Sequence, residues 1–139
     1  MANKFLVASH GKMASGIKSS IHTLANKGDE IKTIDAYVDD SDYTAIIQDF
    51  LKSLQADDRA VIFTDLYGGS VNQRVVRQVL DAGKQEQVSV VSNANLAVIL
   101  SIVMTGNLTK EAIQGLLEES QVCLVELEAK EETTDDFFD

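Results

Sequence analysis

The chain has 139 residues, 45% of them hydrophobic and 24% charged, which suits one globular domain with a single core and excludes an intrinsically disordered chain. Its net charge of −10, with no cluster of Lys or Arg, argues against duplex nucleic acid or an anionic membrane surface and for a small ligand or a basic protein partner. The lone cysteine, Cys123, excludes a disulfide scaffold.

Residues 4–9 form a short apolar run ending at His10-Gly11, after which Met13, Ile17, Ile21 and Leu24 recur at helical spacing, so a strand, a loop and a helix are predicted. Gly28 is the expected C-cap. A second strand is predicted over 31–38, followed by a helix that Ser41 or Asp42 can cap and that runs to Leu54. The run 59–64 reads as a buried strand, Asp65-Leu66-Tyr67-Gly68-Gly69-Ser70 as a loop, and Val71, Val75, Val76, Val79 and Leu80 as a helix face that Gly83 ends. A fourth strand is predicted over 87–92, then a helix capped within 93–95 and running to Met104, and another over 109–120. Residues 121–127 alternate as a fifth strand, with Cys123 read as plain core. Residues 1–129 are expected to form the domain and 130–139 an acidic tail, in which Phe137-Phe138 offers apolar atoms to a neighbour. Seven acids and one lysine after Val125 carry most of the negative charge.

Strands separated by helices require right-handed crossovers, so the expected fold class is α/β, an open three-layer sandwich around a mainly parallel sheet of order 2-1-3-4. The first apolar run is too short for a signal peptide and no stretch approaches ~20 apolar residues, so the protein is expected in the cytoplasm.

In such a sheet, ligands bind beyond the carboxyl ends of the strands where the strand order reverses. His10 ends the first strand and Asp65 the third, and in the order 2-1-3-4 they are neighbours at that switch point. A carboxylate beside the ring accepts one ring N–H and fixes the tautomer, which frees the other nitrogen as a nucleophile. Asp65 can at the same time cap the glycine turn. Gly68-Gly69-Ser70 opens a helix, so backbone amides, the positive end of the helix dipole and the Ser70 hydroxyl make an anion cradle there. Neither phosphate-binding glycine fingerprint of nucleotide enzymes is present. The Ser70 surroundings are not a nucleophile elbow, and both His10 and His22 precede the serine. His22 has no ligand at metal spacing and reads as surface.

Ser9-His10-Gly11, the Asp65–Ser70 loop and Val91-Ser92-Asn93 together resemble the enzyme IIA domain of the mannose-type family in the bacterial phosphoenolpyruvate-dependent sugar phosphotransferase system, over roughly residues 4–127. The resemblance implies a phosphocarrier in which Nε2 of His10 takes a phosphoryl group from the phosphohistidine of HPr and passes it to an enzyme IIB, while Asp65 holds Nδ1. It places Gly11, Leu66, Gly68, Gly69 and Ser70 around the phosphate and implies no metal and no cofactor. It also implies a homodimer that exchanges its last strand, 121–127, as an antiparallel sheet edge, and contact with the membrane only through the sugar permease. Val71 stands where the family usually has proline, and Asn72 comes one position early, so Asn72 and Asn93 stay outside the expected site. Two other readings stay open: the phosphocarrier subunit of a dihydroxyacetone-kinase-type system, and a small anion-binding or hydrolase module.

Overall fold

The computed structural model describes residues 1–129; the expected tail 130–139, with Phe137-Phe138, lies outside the described residues. In chain order the elements are β1 (Asn3–His10), α1 (Met13–Ala25), β2 (Ile31–Ala36), α2 (Thr44–Lys52), β3 (Arg59–Thr64), α3 (Ser70–Asp81), β4 (Val88–Val91), α4 (Leu96–Met104) and α5 (Lys110–Glu119). The strands form one all-parallel sheet in the order β2-β1-β3-β4.

The central strands read as unbroken apolar runs because both of their faces are buried. Phe5, Val7, Val61 and Phe63 face one way, against Ile21 of α1, Ile99 and Ile102 of α4 and Ile113 of α5. Leu6, Ala8, Ala60 and Ile62 face the other way, against Ile47, Phe50 and Leu51 of α2 and Val71, Val75 and Val79 of α3. Register then positions the site. Ala8 pairs with Thr64, so the chains leaving β1 and β3 emerge side by side, carrying His10 and Asp65.

Several element ends differ from expectation. Asn26, not Gly28, closes α1 in the left-handed conformation, its N–H donating to the His22 carbonyl at 2.9 Å. Gly28 instead lies in a short 3-10 turn pressed on α1, where a β-carbon would come within 2.9 Å of His22 Cβ. Strand β2 stops at Ala36 because Tyr37 turns to φ +68°. Helix α2 begins at Thr44, whose N–H donates to Asp42 Oδ1 at 2.9 Å, and ends at Lys52 rather than Leu54.

The expected fifth strand is not formed in the single chain. Residues 121–129 form no strand, and Cys123 is exposed rather than core. Leu124 is 99% exposed, with Val122, Val125 and Leu127 exposed beside it. A strand exists only through a hydrogen-bonded neighbour, and among the described residues the sheet has four strands, none of them from this segment.

Candidate functional site

His10 is the last residue of β1, and Gly11 turns the chain at φ +63°, its N–H donating to the Ala36 carbonyl at 2.8 Å. A left-handed turn at this point favours glycine, and it leaves the imidazole 41% exposed on a shelf at the sheet's carboxyl end.

Asp65 fixes that ring. Its Oδ2 accepts from the His10 backbone N–H at 2.7 Å and from Nδ1 at 2.8 Å, while Oδ1 accepts from the Leu66 N–H at 2.9 Å. Burial, which leaves the Asp65 side chain 9% exposed, pushes its carboxyl up; the hydrogen bonds and charge of His10 outweigh this and hold it below the ordinary carboxylate value. An ionised carboxylate only accepts, so Nδ1 carries the ring proton and Nε2 presents a lone pair. Ser70 Oγ stands 3.2 Å from Nε2 and donates to it. Tyr37 Oη lies 2.9 Å from the same Ser70 oxygen.

The loop between β3 and α3 is tied down at each amide. Tyr67 N–H donates to Asn93 Oδ1 at 2.8 Å, Gly68 N–H to Asn72 Oδ1 at 3.1 Å and Gly69 N–H to the Leu66 carbonyl at 3.0 Å. Gly68 sits at φ +76°, and a β-carbon on Gly69 would crowd Leu66 at 3.2 Å and reach His10 Cε1 at 3.7 Å. The amides of Gly11, Leu66, Gly68 and Gly69 are thus all engaged inside the protein. The unengaged donors are those opening α3, at Ser70, Val71 and Asn72, which have no intrahelical acceptor. They carry the positive end of the dipole to the side of the imidazole.

Beneath the loop lies a polar knot. Asn72, 6% exposed, donates through Nδ2 to Thr64 Oγ1 at 3.0 Å and to Ser92 Oγ at 2.5 Å, and Thr64 and Ser92 bond each other at 3.1 Å. Asn72 therefore joins the ends of β3 and β4 to the start of α3 and to Gly68. Asn72 and Asn93, kept outside the expected site, both accept hydrogen bonds from its loop, and Tyr37 reaches Ser70 from the end of β2. The readable signal for Asn72 is a polar residue on the apolar stripe of Val75 and Val79; Tyr37 has no such signal.

Among the described residues no helix is long and apolar enough to cross a membrane, and no three His, Cys, Asp or Glu side chains gather as a metal site would need.

Comparisons with known proteins point one way. No curated protein matches the chain. A solved structure from Klebsiella pneumoniae, described as a phosphoenolpyruvate-dependent sugar phosphotransferase system permease, is 29% identical, with a TM-score of 0.72 over 88% of this chain and 92% of its own. The IIA protein associated with the fucose utilization operon of Streptococcus pneumoniae shares the fold at 20% identity, with a TM-score of 0.72 over 88% of this chain and 93% of its own. So does the mannose/sorbose-specific IIA subunit of Enterococcus faecalis, at 18% identity and a TM-score of 0.66 over 92% of this chain and 100% of its own. The model of the phosphotransferase system fructose IIA component matches residues 4–121, which take in His10, Asp65 and, among the described residues, all of the strands and helices but Asn3 at the start of β1, and the chain belongs to that family of sugar phosphotransferase system components.

Proposed function

We propose that the chain is a cytoplasmic phosphocarrier in which His10 accepts a phosphoryl group from phospho-HPr and passes it to an enzyme IIB during sugar uptake. The observation that carries this reading is the clamp of Asp65 on Nδ1, which leaves Nε2 facing Ser70 and the open start of α3. An imidazole on an exposed shelf suits a donor that is itself a protein, because a second macromolecule must bring its phosphohistidine into line.

The Nε2 lone pair forms the new N–P bond while the donor's N–P bonding pair returns to the donor nitrogen. The negative charge stays on the three phosphoryl oxygens, and the Nδ1 proton does not move. The phosphorylated ring, keeping that proton, carries positive charge, and the Asp65 carboxylate 2.8 Å away offsets it. Transfer of this kind depends on positioning and charge stabilisation more than on covalent machinery. Gly11 and Gly69 leave the approach to Nε2 uncovered, Leu66 and Gly68 shape the loop around the group, and Ser70 donates directly to it. The amides opening α3 supply the remaining donors.

The exposed apolar side chains of 121–127 and the outer edge of β4 support a homodimer in which that segment pairs with the partner's sheet. Sedimentation of the full chain, compared with Leu124→Asp, is expected to show a dimer that the substitution weakens.

The deciding experiment is incubation with phosphoenolpyruvate, enzyme I and HPr, read by intact mass. One acid-labile phosphoryl group is expected on the wild type and none on His10→Ala. No gain in the wild type, or a gain in His10→Ala, overturns the reading.

A further inference from the structure

Tyr37 holds a conformation that nothing local rewards. It directly follows β2, carries a bulky ring, and still sits at φ +68°, a left-handed conformation that a β-carbon disfavours. Burial does not hold it there, because it is 56% exposed. Three contacts do. Its hydroxyl meets Ser70 Oγ at 2.9 Å, its ring lies over His10 with centroids 5.3 Å apart at 37°, and Tyr43 meets it edge-on at 5.8 Å and 85°. Tyr43 is itself anchored by the Arg74 guanidinium, 4.6 Å above its ring.

The proton positions give those contacts a direction. Asp65 fixes the proton on Nδ1, so Nε2 accepts and the Ser70 hydroxyl donates to it. The Ser70 proton being committed, its oxygen accepts from the Tyr37 hydroxyl. Burial, then the bond to Tyr37, pushes the Tyr43 hydroxyl up to about 12, so it keeps its proton 3.5 Å behind Tyr37. The array runs from Tyr37 through Ser70 to the nitrogen that reacts.

We propose that Tyr37 is a positioning residue for phosphoryl transfer at His10, acting through its hydrogen bond to Ser70. The proposal rests on the carrier reading above. When the N–P bond forms at Nε2 as the donor's N–P bond breaks, Nε2 no longer has a lone pair to offer, and the Ser70 proton must turn to a phosphoryl oxygen. Tyr37 holds the serine oxygen in place through that turn. Ser70 lies at the first position of α3 with an exposed side chain, and without Tyr37 its hydroxyl would sample rotamers that face solvent.

The test is a double-mutant cycle with Tyr37→Phe, which keeps the ring and its packing, and Ser70→Ala. Tyr37→Phe is expected to lower kcat for transfer from phospho-HPr about tenfold with KM unchanged, the effect of one hydrogen bond used in the transition state. In the Ser70→Ala background the same substitution is expected to change nothing, because its effect passes through the serine. In 15N-labelled protein free of partners, the His10 Nε2 resonance is expected to move in Tyr37→Phe toward its position in Ser70→Ala. An unchanged kcat, an equal loss in both backgrounds, or an unmoved Nε2 resonance overturns the proposal. A labelled wild type with an unaffected Tyr37→Phe removes this proposal alone, whereas a wild type that takes no phosphoryl group removes the carrier reading and this proposal with it.

Discussion

Two helices begin beside His10, and their first turns are treated in opposite ways. At the start of α1, the Ala14 N–H donates to Ser9 Oγ at 2.8 Å and the Ser15 N–H to Asp35 Oδ1 at 3.0 Å, while Asp35 Oδ2 also accepts from the Ser15 hydroxyl at 2.6 Å. The protein's own oxygens close that end, and the Asp35 carboxylate already occupies the place an anion would take. At the start of α3, Gly69 is the N-cap and offers no side chain, so no cap side chain closes the amides of Ser70, Val71 and Asn72, and Ser70 Oγ stands 3.2 Å from Nε2. Proximity to a helix N-terminus therefore does not by itself define an anion site. What distinguishes α3 is that its N-cap glycine brings no side-chain oxygen to the first turn, whereas Ser9 and Asp35 reach that of α1.

Substitutions on the two sides should separate cleanly. The largest effect is expected from Asp65→Asn, which keeps the shape at the centre of the site but no longer requires the proton on Nδ1. Phosphoryl transfer from phospho-HPr should fall about 10³-fold, read by rapid quench, as expected when an imidazole loses the carboxylate that sets its tautomer. Next comes Ser70→Ala on the open side, with roughly a tenfold loss of transfer for one donor to the developing charge. Its stability in urea should stay within about 0.5 kcal/mol, since the side chain is exposed and is not the cap.

On the closed side the expected pattern reverses. Asp35→Ala removes acceptors from the Ser15 amide and hydroxyl and should cost about 1 kcal/mol of stability by urea denaturation, while transfer stays within about twofold. A large loss of transfer there would mean that α1 also takes part in holding the phosphoryl group, and the contrast between the two helix starts would fail.

The same contrast shows where the sequence is legible. His10 and Asp65 can be read because each stands immediately after an apolar run, and parallel register brings the ends of such runs together. The Gly68-Gly69-Ser70 loop can be read as the start of a helix, but not which of its amides remain open. That depends on Asn72 and Asn93 reaching back to Gly68 and Tyr67 from elements that only tertiary packing brings near. Tyr37 is illegible for the same reason, since its positive φ is held by residues 10, 43 and 70. The segment 121–127 shows the opposite failure: its alternation is a genuine strand pattern, but the pattern does not supply the neighbour a strand needs.

The smallest expected effect concerns acid. The folded-state pKa of Asp65 lies below its unfolded value, because bonds from His10 overcome its burial. A depressed carboxyl binds fewer protons folded than unfolded, so it stabilises the fold above the unfolded value of about 3.9, and that contribution disappears as pH falls through the folded value. Other carboxylates titrate in the same range, Asp58 among them, held low by the Gln55 amide. The informative quantity is therefore the difference between wild type and Asp65→Asn, measured by urea denaturation from pH 7 down to pH 3. The wild type's advantage should be flat near neutrality and shrink only below about pH 4, once the unfolded chain begins to take up the proton that the folded site resists. A difference that instead stayed constant down to pH 3 would mean that Asp65 is not the carboxyl whose proton uptake the folded site resists.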